Sequence, residues 1–197
     1  MTQPPSMLQL YGRAYAPAKL GNATLLVIDP QMEYRMGTLA LPGLAPAVEQ
    51  INILLAAARQ QQRPIVYVRH LGIPGGLLDP QGERGHFLPE LAPQAGETVV
   101  EKRQPNAFAG TELHDRLMAH GHLDLIVCGF MTHSSISSTV RAARDYGYRC
   151  TLVDTAIATR DIPTSNGTLA AADLHRVEMA ALADNFAVVV PSAQDVL

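Results

Sequence analysis

The stretch Thr24-Leu25-Leu26-Val27-Ile28-Asp29-Pro30 decides the fold. A continuous apolar run of this kind suits a strand buried on both faces, as in a parallel sheet covered by helices. Outward from it, helical and extended patterns alternate. Val48, Ile51, Leu54, Leu55 and Ala58 recur at helical spacing over 46–62, with Pro46 near the start. Residues 64–68 read as a second strand and 98–100 as a short third. A helix is expected over 112–118 with Thr111 as its cap, then a strand over 123–128 closed by Gly129. A helix over 134–146 ends at Gly147, a strand follows over 148–154, and an Ala-rich helix covers 170–183. The last strand, 187–190, stops at Pro191. This alternation predicts an α/β, Rossmann-like three-layer fold: about six strands, mainly parallel, with helices on both faces and right-handed crossovers.

The 197 residues suffice for one domain with a real core. We expect a single domain over 22–197, preceded by an arm over 1–21. The arm shows no clean period and either frays or packs on a neighbour, the loose tail being the plainer reading. The stretch 72–96 is long, rich in Gly and Pro, and aperiodic, which marks a functional or mobile loop. A net charge of −3 argues against a basic nucleic-acid binder. Two cysteines exclude a disulfide scaffold and a Cys₄ zinc site. The first ten residues lack a signal peptide's charged and apolar regions, and no apolar run approaches the roughly 20 residues of a membrane helix. The expectation is a cytoplasmic protein acting on a small molecule, with neither nucleic acid nor membrane as partner.

In an open parallel sheet, ligands bind beyond the carboxyl ends of the strands. The first strand ends at Asp29, and the third runs into Glu101, Lys102 and Arg103. The fourth ends at Gly129 ahead of Phe130 to Ser135 at a helix start, and the fifth ends at Asp154. Each residue alone has a plainer role: Asp29 as a turn or cap, Lys102 as a solvated side chain, and Thr132, His133, Ser134 and Ser135 as caps. Their convergence on one rim is more specific than any member.

These blocks carry a resemblance. Leu25-Leu26-Val27-Ile28-Asp29-Pro30-Gln31, then Glu101-Lys102 with Ala107-Phe108, then Gly129-Phe130-Met131-Thr132-His133-Ser134-Ser135, then Arg141-Ala142-Ala143 occur in an order similar to that of the isochorismatase-like hydrolases. That superfamily, also called the cysteine hydrolases, includes nicotinamidases and N-carbamoylsarcosine amidase. The resemblance spans 24–190 and implies an Asp-Lys-Cys triad matching Asp29, Lys102 and the position of Ser135. It also implies a cis peptide at Phe130–Met131, which would bring the backbone N–H groups of Met131 and Ser135 together as an oxyanion hole. Family members are usually homo-oligomers, so a dimer or tetramer is expected. Nicotinamidases carry Asp-x-His plus a further His for a metal. This chain has only His70 and then His86 there, so no metal and no cofactor are expected.

Ser135 departs from the family pattern. A thiol at a helix N-terminus beside a lysine falls from a pKa of about 8.5 toward neutrality, whereas a hydroxyl is not ionised there. A serine nucleophile ordinarily needs a positioned base. His133, two residues away, does not face it on a helix. Cys128, inside a strand, and Cys150, at the far end of the sheet, do not replace it. Three readings stay open: a Cys→Ser replacement in an amide hydrolase, a natural serine in a vinyl-ether hydrolase that uses Asp29 as acid, and a silent binding protein. Tyr34, His70, Arg84, Phe108 and Phe130 are the candidate substrate-binding side chains. His175, within a helix, reads as packed or solvated. Residues 157–167 read as a loop able to close over a neighbour's site.

Overall fold

The computed structural model describes residues 4–197. Six parallel strands form one sheet: β1 (Thr24–Ile28), β2 (Ile65–His70), β3 (Thr98–Lys102), β4 (Asp124–Phe130), β5 (Arg149–Ala158) and β8 (Ala187–Val190). Their order across the sheet is β3-β2-β1-β4-β5-β8. A separate antiparallel hairpin pairs β6 (Ile162–Thr164) with β7 (Gly167–Leu169). Helices α1 (Met7–Leu10), α2 (Glu33–Met36), α3 (Leu44–Gln60), α4 (Leu113–Met118), α5 (Ser137–Asp145) and α6 (Ala171–Asn185) complete the fold.

The alternation of side chains along β1 divides the core in two. Leu25 and Val27 join Ile51, Leu54, Leu55 and Ala58 of α3 on one face. Leu26 and Ile28 join Leu117 of α4, Val140 of α5 and Leu182 of α6 on the other. Both faces being covered, the strand is apolar from Leu25 to Ile28. The chain winds outward in opposite directions from β1 and β4, so the switch point lies between them, at their carboxyl ends.

Several elements differ from expectation. Residues 4–21 pack on their own chain, with Leu8, Ala18 and Leu20 buried. Ala18 N–H donates to Thr151 Oγ1 (2.8 Å), Tyr15 to Cys150 O (3.1 Å) and Leu20 N–H to Val196 O (2.7 Å). These pairings and the buried apolar groups offset the entropy of ordering this segment. Residues 1–3 lie outside the described part. The fifth strand runs past Asp154 to Ala158, because a register shift between Val127 and Gly129 lets β5 resume pairing with the end of β4. Much of the expected 157–167 loop is instead the end of β5 and the β6–β7 hairpin, which turns at Ser165 and Asn166 and enters β7 at Gly167, φ +125°. Residues 132–136 form a π-helical turn before α5, not regular helix.

The candidate active site

Asp29 sits just beyond β1 with φ +50°, the left-handed region that Asp tolerates better than most residues. Its N–H donates to Val68 O (2.9 Å), and its carboxylate is completely buried. Lys102, the last residue of β3, is in register with His70 of β2, and its ammonium reaches past His70 toward β1. Lys102 Nζ lies 2.7 Å from Asp29 Oδ2, 3.0 Å from Ser135 Oγ and 3.0 Å from His70 Nδ1. The ammonium thus has hydrogen-bond contacts with Ser135 and His70 and an ion pair with Asp29. Neither Asp29 oxygen has a well-aligned hydrogen-bond partner among the described residues, so Oδ2 is held by the ion pair with Lys102.

Burial pushes the Asp29 carboxyl above its ordinary range, with the Lys102 charge pulling it back. Burial, then the charges of Lys102 and Arg103, push His70 down to about 4. His70 is therefore neutral near pH 7, with Nδ1 free to accept from Lys102. Ser135 occupies the π-turn at the head of α5, where main-chain N–H groups and the helix dipole favour negative charge.

The turn is reached by an abrupt change of direction. Gly129 takes φ +116°, and a Cβ there would lie 2.0 Å from Ile28 O, so only glycine lets β4 pass β1 at this point. The Phe130–Met131 peptide is cis. Ser134 and Ile136 N–H both donate to Met131 O, at 3.1 and 3.2 Å.

The other expected residues divide. Tyr34 and Phe130 pack edge to face, with centroids 5.6 Å apart, and burial, then the charges of Asp29 and Glu33, raise the Tyr34 phenol. Both are buried, forming a wall beside the carboxylate rather than an open surface. Phe108 is not with them. It stacks on Tyr146 (4.9 Å) and Tyr148 (5.9 Å) in the other half of the core. Arg84 donates to Gly76 O (3.0 Å) and lies 3.5 Å from buried Glu33, so it is engaged in fastening the 72–96 loop. His133 bonds to Thr159 and not to Ser135. Cys128 and Cys150 are fully buried, and burial raises both thiols, Cys150 to about 12.

Sequence reasoning gave no role to Gln31. Its amide donates to His70 O (3.0 Å) and Gly85 O (2.9 Å) and accepts from His70 N–H (2.8 Å). It ties the β1 end to the β2 end and to the loop. Its only signal was its place two residues after Asp29. Cavities of about 640 Å³ and 540 Å³ open elsewhere on the surface, and neither is lined by Asp29, Lys102 or Ser135. Those three are almost sealed in the single chain.

A doubly wound sheet with a buried acid, an ammonium and a hydroxyl gathered at its switch point defines an α/β enzyme with a polar site at the carboxyl rim. Residues 23–194 match the Isochorismatase domain model, and the chain belongs to the isochorismatase family of hydrolases. A solved isochorismatase structure from Pseudomonas putida KT2440 shares 57% identity and a TM-score of 0.95, covering 98% of this chain and 99% of its own. The secreted isochorismatase effector Isc1 of Verticillium dahliae is 32% identical over 95% of this chain and 97% of its own length. Maleamate amidohydrolase of Pseudomonas putida is 30% identical over 69% of this chain and 72% of its own. No helix among the described residues is long and apolar enough to cross a membrane.

Proposed function

We propose that this protein's site is built for hydrolysis of a small amide-type C–N substrate, with Asp29 as acid/base, Lys102 as its cation and position 135 as the nucleophile position. The observation that carries the reading is the fully buried Lys102 ammonium, 2.7 Å from Asp29 and 3.0 Å from Ser135 Oγ at once. Similarity to an amidohydrolase supports the amide. In the thiol form, Asp29 takes the nucleophile's proton and the sulfur adds to the carbonyl carbon. The N–H groups of Met131 and Ser135 hold the oxyanion, assisted by Lys102. The C–N bond breaks as Asp29 returns the proton to the amine, and water then cleaves the acyl-enzyme.

With serine at 135 the same setting leaves the hydroxyl un-ionised, and no imidazole bonds to it. Amide turnover by the chain as it stands is therefore severely slowed or absent. Ser135→Cys should create amide turnover in a panel of small amides, and no gain while those amides still bind would count against the reading. A second reading is vinyl-ether cleavage with Asp29 as general acid. The raised Asp29 carboxyl favours it, being suited to delivering a proton, and so does similarity to proteins named isochorismatase. It predicts turnover of isochorismate by the unaltered chain, lost in Asp29→Asn. A cytoplasmic site of action and assembly as a dimer or tetramer belong to the same proposal. So does a substrate contact for His70, the one expected binding side chain that touches Lys102.

A further inference from the structure

Thr132 opens the π-turn three residues before Ser135 and is completely buried. Its Oγ1 lies 2.8 Å from Nδ1 of His175, on α6. Nε2 of the same imidazole lies 2.9 Å from Oδ1 of Asp154, on β5. A carboxylate only accepts, so Nε2 carries the proton toward Asp154. In the neutral ring Nδ1 is then an acceptor, and the Thr132 hydroxyl donates to it. The Asp154 carboxylate thus sets the tautomer, the tautomer sets the direction of the Thr132 hydrogen bond, and Thr132 directly follows the Met131 amide.

One helical turn along α6, Glu178 accepts hydrogen bonds from Ser137 Oγ and from Arg141 (3.0 Å). Arg141 also donates to Ser137 Oγ (3.1 Å), and its guanidinium lies 4.4 Å from the Phe186 ring centre. His175 and Glu178 are three residues apart and share a face of α6. They grip the turn at Thr132, three residues before Ser135, and at Ser137, two residues after it. Thr132 is the first residue of the turn and follows the extended Met131, so no preceding helical turn offers its hydroxyl a carbonyl. The hydroxyl reaches another helix and a ring backed by a carboxylate, an arrangement that fixes direction as well as satisfying a donor.

We propose that His175, oriented by Asp154, is a positioning residue that holds the turn carrying position 135 through Thr132. The inference rests on reading 135 as the reacting position. The test therefore joins a readout of the turn's chemistry to one independent of it. Ser135→Cys supplies a thiol whose alkylation by iodoacetamide is measured against the silent, buried Cys128 and Cys150. Adding His175→Leu should slow that alkylation about tenfold or more. His175→Asn, whose amide oxygen stands near the Nδ1 position, should restore most of the rate. Asp154→Asn gives a milder variant should His175→Leu fail to fold. It should slow alkylation severalfold and move the imidazole ¹⁵N shifts away from the Nε2–H tautomer.

In parallel, amide hydrogen exchange over 131–136 in the unaltered Ser135 chain should quicken in His175→Leu and in Asp154→Asn. Unchanged exchange in both folded variants would overturn the proposal, as would His175→Asn behaving like His175→Leu. A thiol in Ser135→Cys no more reactive than a free cysteine would instead sink the reading of 135, and the exchange and ¹⁵N comparisons would still decide the role of His175.

Discussion

Replacing Lys102 by Met removes the cation 2.7 Å from Asp29 and leaves a completely buried carboxyl without it. At an effective dielectric of about 20, unit charges at that distance attract by about 6 kcal/mol. The fold does not lose all of this, because the carboxyl escapes by taking a proton. Protonating a group whose ordinary pKa is 3.8 costs about 4 kcal/mol at pH 7 and about 2 kcal/mol at pH 5. Those figures cap the pH-dependent loss. Burial already raises Asp29, so its contribution to stability is full below the unfolded value and is lost as pH rises through the folded one. Without Lys102 the folded value climbs further, and the deficit of the variant widens from acid toward neutral pH. Urea unfolding of the parent, Lys102→Met and Asp29→Asn/Lys102→Met at pH 5 and pH 7 measures this. The expected pH-dependent loss in Lys102→Met is at most about 4 kcal/mol at pH 7 and about half that at pH 5. The orphaned His70 and Ser135 acceptors add a further cost, and restoring charge balance in the double variant should flatten the profile. Equal destabilisation at both pH values, or a double variant with the same pH dependence as Lys102→Met, would refute the reasoning.

Gly129→Ala should destabilise by about 3 kcal/mol or more in urea unfolding, since its Cβ meets Ile28 O at 2.0 Å and its φ is +116°. Gln31→Leu should cost about 2–3 kcal/mol by orphaning His70 N–H and two carbonyls, with faster proteolysis within 72–96 as its visible sign. His70, pushed down to about 4, stabilises the fold fully above its unfolded value near 6.5, and that contribution is lost as pH falls toward 4. NMR titration should find the low value, and His70→Asn should lessen the acid loss of stability.

That Asp29, Lys102 and the segment leading to Ser135 meet at one rim was readable, because strand ends are local features. A buried parallel strand announces itself by an unbroken apolar run, and the crevice rule then selects the residue after it. The order of the Asp, Lys and Gly-x-x-Thr blocks is likewise a property of the chain alone. Strand number and parallel pairing follow from the same alternation of patterns.

What the chain alone did not decide were the contacts between segments far apart in sequence. The arm was unreadable because its pairings run to Thr151, Cys150 and Val196, over 130 residues away. Phe108 and Phe130 look alike as aromatics beside a motif, yet one stacks on Tyr146 and the other meets Tyr34 edge to face. His175 reads as an ordinary helical residue until folding sets its ring between Thr132 and Asp154. Local periodicity encodes which face of an element is buried. The partner that a polar side chain meets there is fixed only when the layers pack, and that packing made Lys102 the shared neighbour of Asp29, His70 and Ser135.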